Sequence, residues 1–90
     1  MAYTKLVETP LAGGKSAYTS VILTNKFGEL LDSGDLTMTY EVLPDGTAKA
    51  TQVWKDEATY NSFTSWLASS GELAKMQAHH SANNITPVIS

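Results

Sequence analysis

From Leu36 to Val42 apolar and polar residues alternate without a break. Leu36, Met38, Tyr40 and Val42 point one way; Thr37, Thr39 and Glu41 point the other, which is the period of a half-buried strand. Pro44-Asp45-Gly46 follows, with proline suited to the first turn position and glycine to a left-handed one. If Leu43 pairs with Thr47, the register of a β-hairpin is set over its whole length. Glu41 then faces Lys49, Thr39 faces Thr51, Tyr40 faces Ala50 and Leu36 faces Trp54. Apolar pairs collect on one face, while the charge pair and the threonines collect on the other. Gln52, opposite Met38, is the one polar residue on the apolar face.

A different period starts after Trp54. Asp56 suits a helix N-cap, Glu57 suits the first turn, and Tyr60, Phe63 and Leu67 recur at helical spacing with Trp66 beside them. Ser69-Ser70-Gly71 interrupts the pattern. Ser69 with Glu72 three residues on has the form of a capping box, so a second helical segment is expected to restart there, with Leu73, Met76 and His80 inward. Asn83-Asn84 ends it. Ile85 to Ile89 reads as a short strand, and Pro87, which has no N–H to donate, assigns it to a sheet edge.

In the first third, Tyr3 to Val7 reads as a strand stopped by Thr9-Pro10. Leu23, Phe27, Leu30 and Leu31 fall on one helical face, and Ser16 is a possible cap, so a helix is expected from about Ser16 to Leu31. Tyr18 to Thr24 also has the β-branched content of a strand. Ser33-Gly34-Asp35 turns the chain into the hairpin. The order βαββαβ, with right-handed crossovers, predicts a ferredoxin-like α+β domain spanning residues 1–90. It is a four-stranded antiparallel sheet with two helices on one face. The bare face would carry Thr37, Thr39, Thr51 and Val53, a surface suited to a second subunit.

Composition narrows the function. The chain has 90 residues, no cysteine and no arginine, six lysines and a net charge of −3. Disulfide frameworks, thiol catalysis and cysteine-ligated metals are excluded. The basic stripe of a nucleic-acid binder is missing. No apolar run approaches the roughly 18 residues of a membrane span, and Met1 to Pro10 lacks a signal-peptide core, so a soluble cytoplasmic protein is expected. A domain this small has a thin core, which a homodimer would extend.

Val53-Trp54-Lys55-Asp56-Glu57-Ala58-Thr59-Tyr60 resembles a segment of the dimeric α/β-barrel superfamily, in its antibiotic-biosynthesis-monooxygenase-like branch. There a strand ends in Trp and enters a helix through an acidic or serine residue. The break at Ser69-Ser70-Gly71 and Gly14-Lys15 ahead of the first helix are also similar to that branch. The resemblance implies a homodimer whose two sheets close an eight-stranded barrel, with a ligand pocket between sheet and helices in each subunit. It also implies, as the alternative to a binding domain, a cofactor-free monooxygenase or a haem-handling enzyme. The haem-degrading members use an Asn on the first strand, a Trp and a haem-ligating His. Tyr3 to Thr9 holds no Asn. Aligned on Trp54, the Trp position falls on Phe63 and the His position on Leu73, or, shifted by three, on Trp66 and Met76. No cofactor is assigned.

The residues themselves point to a small apolar or aromatic ligand held between the sheet and the helix Asp56–Ser69. Trp54, Trp66, Met76 and Tyr40 are the candidate walls, with Gln52 and His80 as isolated polar groups. The same aromatics also suit the core of a domain of this size. His79 and His80, adjacent on a helix, point about 100° apart and would not share one metal ion. Gly13-Gly14-Lys15-Ser16 lacks the earlier glycine of a phosphate loop. Glu41 and Lys49 read as a cross-strand ion pair, and no assembled catalytic set is present.

Overall fold

The alternation at Leu36–Val42 becomes one arm of a hairpin in the structure, a computed structural model that describes residues 1–90. Strand β2 (Leu36–Val42) pairs antiparallel with β3 (Thr47–Trp54), placing Leu36 opposite Trp54, Thr39 opposite Thr51 and Glu41 opposite Lys49. The expected register holds throughout. Leu43 N–H donates to the Thr47 carbonyl at 2.8 Å, and Gly46 N–H donates to the Leu43 carbonyl at 2.9 Å. Gly46 sits at φ 91°, and a Cβ built there would lie 3.0 Å from the Ala12 backbone. Glycine is therefore required twice over, by conformation and by space.

Strand β1 (Tyr3–Pro10) joins the free side of β3, and β4 (Val88–Ile89) joins β1. The result is one antiparallel sheet in the order β2-β3-β1-β4. As Pro87 requires, β4 is an edge strand. It is shorter than the expected Ile85–Ile89 because Ile85 leaves the sheet: it is buried, and its N–H donates to the His80 carbonyl at 2.9 Å. Beyond Ile89 the pairing extends through reciprocal bonds between Leu6 and Ser90, at 3.0 and 2.9 Å.

Helix α1 runs from Val21 to Ser33, starting five residues after Ser16, and its cap is Ser20. Residues 15–20 are drawn instead into tertiary contacts. Lys15 Nζ donates to the Asn84 carbonyl at 2.8 Å, His79 Nε2 lies 2.7 Å from the Ser16 carbonyl, and Tyr18 Oη donates to Glu72. Gly34, at φ 80°, closes the helix through its N–H to Leu31. Leu23 and Leu30 are buried, Phe27 is partly buried against them, and Leu31 leans outward.

Helix α2 (Glu57–Ser69) is capped as expected, with Asp56 Oδ1 accepting from Thr59 N–H at 2.7 Å and from the Thr59 hydroxyl at 2.6 Å. The second helical unit is two helices, so the sheet carries three helices instead of the expected two. Helix α3 (Glu72–Ala82) restarts at Gly71, φ 83°, and Ser70 Oγ accepts the Glu72 N–H at 3.3 Å. The expected Ser69–Glu72 capping box does not form. The Glu72 side chain is turned inward, fully buried, where Tyr18 meets it.

Leu23, Leu30, Leu36, Trp54, Phe63 and Leu67 form the core between the sheet and the helices. Trp54 and Phe63 are its centre, with ring centroids 5.1 Å apart, and Phe27 lies 5.2 Å from Phe63. Only nine residues are buried, and the chain exposes 5583 Å², against about 5100 Å² for a typical monomer of its mass. The core is thin, as the length implies. No helix is long and apolar enough to cross a membrane.

Candidate functional site: an apolar groove between the sheet and the helices

The parity of the strands sorts side chains onto two faces. Tyr3, Lys5, Val7 and Thr9 of β1 share the helix side with Ala48, Ala50, Gln52 and Trp54 of β3. The carboxylates of Glu8 and Glu41 lie on the opposite side. The helix side is crowded around Trp54 and sparse further along, where β3 presents only alanines. Between Val7, Gln52 and Ile89 on the floor and Phe27, Leu73 and Met76 above, an apolar groove of about 260 Å³ remains. It continues past Met76 into a second hollow of about 210 Å³, bounded by Tyr18, Pro87 and His80. Val7, Phe27, Gln52, Met76 and Ile89 line both parts.

Three elements create this space. The α2–α3 break at Ser70–Gly71 prevents one straight helix from lying along the sheet. The shortness of β4 leaves the floor open at Ile89. Residues 15–20, tethered to α3, close the far end with Ala17 and Tyr18. A cleft with apolar walls and a few polar groups is the usual form of a small-molecule site.

Gln52 and His80 are its distinctive polar groups. Gln52 Oε1 accepts a hydrogen bond from Trp54 Nε1 at 3.3 Å. His80 is half-buried; burial and then the neighbouring charge of His79 hold its pKa below the ordinary 6.5, so its imidazole is neutral at pH 7. His79 turns away, with Nε2 on the Ser16 carbonyl and its ring 5.9 Å from Tyr18. The adjacent histidines thus diverge as their helical spacing requires. No three His, Asp or Glu side chains converge in a way that would hold a metal ion.

The structure gathers Gln52, Met76 and His80 in one groove. Trp54 stands behind Gln52, fully buried, as a core residue holding that amide. Trp66 lies away from the groove, half-buried beside α1, with Lys26 Nζ 5.4 Å from its ring centroid. Tyr40 is 63% exposed on β2, beyond the helices. Phe27, Val7, Leu73 and Ile89 are walls that sequence reasoning did not assign to the site. Phe27 and Leu73 were legible as inward-facing helix positions, and Val7 as a strand residue, but none carried a chemical signal separating wall from core.

No protein-family model, curated protein or solved structure matches the chain.

Proposed function

We propose that this chain is a small-molecule-binding domain that holds a small apolar or aromatic guest in the groove between the sheet and helices α2 and α3. The single observation that carries the reading is the continuous apolar groove beneath Met76, with Gln52 on its floor. Its main part, about 260 Å³, exceeds the roughly 150 Å³ of an apolar cavity that accepts benzene. A neutral fluorescent probe, N-phenyl-1-naphthylamine, tests it. The probe is expected to bind with enhanced emission, and Met76→Trp, which fills the groove, is expected to abolish binding while far-UV circular dichroism stays native. Equal binding by the variant, or no binding by the parent protein, overturns the reading.

The strand order β2-β3-β1-β4 supports a ferredoxin-like fold. The same reading makes the protein a homodimer closing sheet against sheet. Its support is the excess exposed area and the sheet face bearing Leu6, Thr39, Thr51 and Val53, which no helix covers. Light scattering at micromolar concentration is expected to give twice 9.7 kDa; a monomer overturns the dimer and leaves the groove untouched.

A further inference from the structure

The orientation of one amide gives the groove a chemical preference. An indole N–H can only donate, so the Gln52 atom facing Trp54 Nε1 is its oxygen, 3.3 Å away. The Gln52 NH₂ is thereby turned away from Trp54, and it makes no hydrogen bond within the protein. Gln52 lines both parts of the groove.

The other polar side chains along the groove are the hydroxyls of Thr9, Tyr18 and Thr64 and the imidazole of His80. Both acidic residues of the sheet face the other side. The Thr64 hydroxyl donates to the Asn61 carbonyl at 2.9 Å and the Tyr18 hydroxyl donates to Glu72 at 3.1 Å, and neither is paired with Gln52. Directly across from Gln52 on β1 stands Lys5, whose ammonium lies 5.6 and 5.5 Å from the ring centroids of Tyr3 and Tyr60 and has no carboxylate partner. No carboxylate therefore faces the Gln52 amide from the sheet.

We propose that the groove selects guests carrying a carbonyl oxygen, aryl or acyl compounds with one such acceptor, and that the Gln52 NH₂ binds that oxygen. This rests on the ligand-binding reading of the groove. A guest without an acceptor would cover the amide donors and leave them unpaired, which is the strongest basis a small site has for rejecting an isostere. Trp54 acts as a positioning residue, holding the amide in the donor-inward orientation.

The test uses two guests of nearly the same shape, 2-acetylnaphthalene and 2-isopropenylnaphthalene, as competitors of bound N-phenyl-1-naphthylamine. Gln52→Glu keeps an oxygen for Trp54 and removes the donor, while Gln52→Met removes both and keeps the length. Each variant is expected to weaken the ketone about tenfold, and Gln52→Met to leave the alkene affinity unchanged or raised. If Gln52→Glu fails to fold, Gln52→Met alone carries the comparison. Equal losses for both guests, or an unchanged ketone affinity, overturn the role of Gln52 while leaving the groove a binding site. If neither guest displaces the probe from the parent protein, the groove reading fails and takes this one with it.

Discussion

The phenol of Tyr18 donates a 3.1 Å hydrogen bond to Oε1 of Glu72, 54 positions further along the chain. Glu72 is fully buried at the first turn of α3, and its other oxygen lies 3.6 Å from Lys75 Nζ. This contact fastens the segment before α1 to the helix that roofs the groove. It also explains why residues 16–20 are not helical: a helix there would carry Tyr18 away from the only buried carboxylate in the protein.

Removing the phenol hydroxyl leaves that carboxylate short of a donor, and a buried acceptor without its partner is costly. Tyr18→Phe is expected to lower the melting temperature by about 4–8 °C. Glu72→Ala is expected to lower it further, and the double variant to lose less than the sum, because the two side chains share one interaction. Calorimetry of the four proteins checks this; additive losses would contradict the contact.

Acid should destabilise the fold in two stages. The pKa of His80 is held below its ordinary 6.5, chiefly by burial, so the unfolded chain binds more protons than the folded one just below that pH. Its contribution is complete above pH 6.5 and declines as pH falls toward the folded value. Glu72 is held below its ordinary 4.5 first by the Ser20 hydroxyl and then by Tyr18, despite an opposing desolvation effect. Asp56 is held below 3.8 by the Thr59 hydroxyl and N–H, and Asp45 by the Thr47 N–H. These contributions are complete above pH 4.5 and are lost as pH falls through the folded values. The melting temperature should therefore decline gently below pH 6.5 and steeply below pH 4.5. His80→Gln should abolish the first stage and keep the second.

Two glycines should respond to alanine with opposite signs. Gly46→Ala forces a side chain into φ 91° and against Ala12, so it should destabilise by more than about 1 kcal/mol. Gly28 lies inside α1 with nothing within 4 Å of a new Cβ. Gly28→Ala should stabilise by about 0.5–1 kcal/mol. Urea unfolding of both variants measures the difference, and a common sign would contradict the assigned backbone.

The parts of the fold that could be read in advance are those governed by neighbours in sequence. The hairpin was legible because turn residues and side-chain alternation specify the same register, with Leu36 on Trp54 and Glu41 on Lys49. The Asp56 cap was legible because a cap and its Thr59 partner lie three residues apart. The start of α1 and the cap of α3 were not, because Tyr18 and Glu72 satisfy each other across most of the chain, and neither residue's local context announces it. Within the candidate site, Gln52 stood out as the only polar residue on the hairpin's apolar face, and His80 fell in line with Met76. Trp66 and Tyr40 were indistinguishable in sequence from groove walls. Their placement depends on where the helices stop covering the sheet, which no local spacing encodes.

The methyl resonances of the protein titrated with 2-acetylnaphthalene test the groove most directly. Binding there should shift the methyls of Val7, Leu73, Met76 and Ile89, which surround the space, and leave those of Val21 and Val42, exposed elsewhere on the surface, unchanged. Shifts concentrated at Met38 and Val42, or no shifts at saturating ligand, would contradict a binding site between the sheet and the helices.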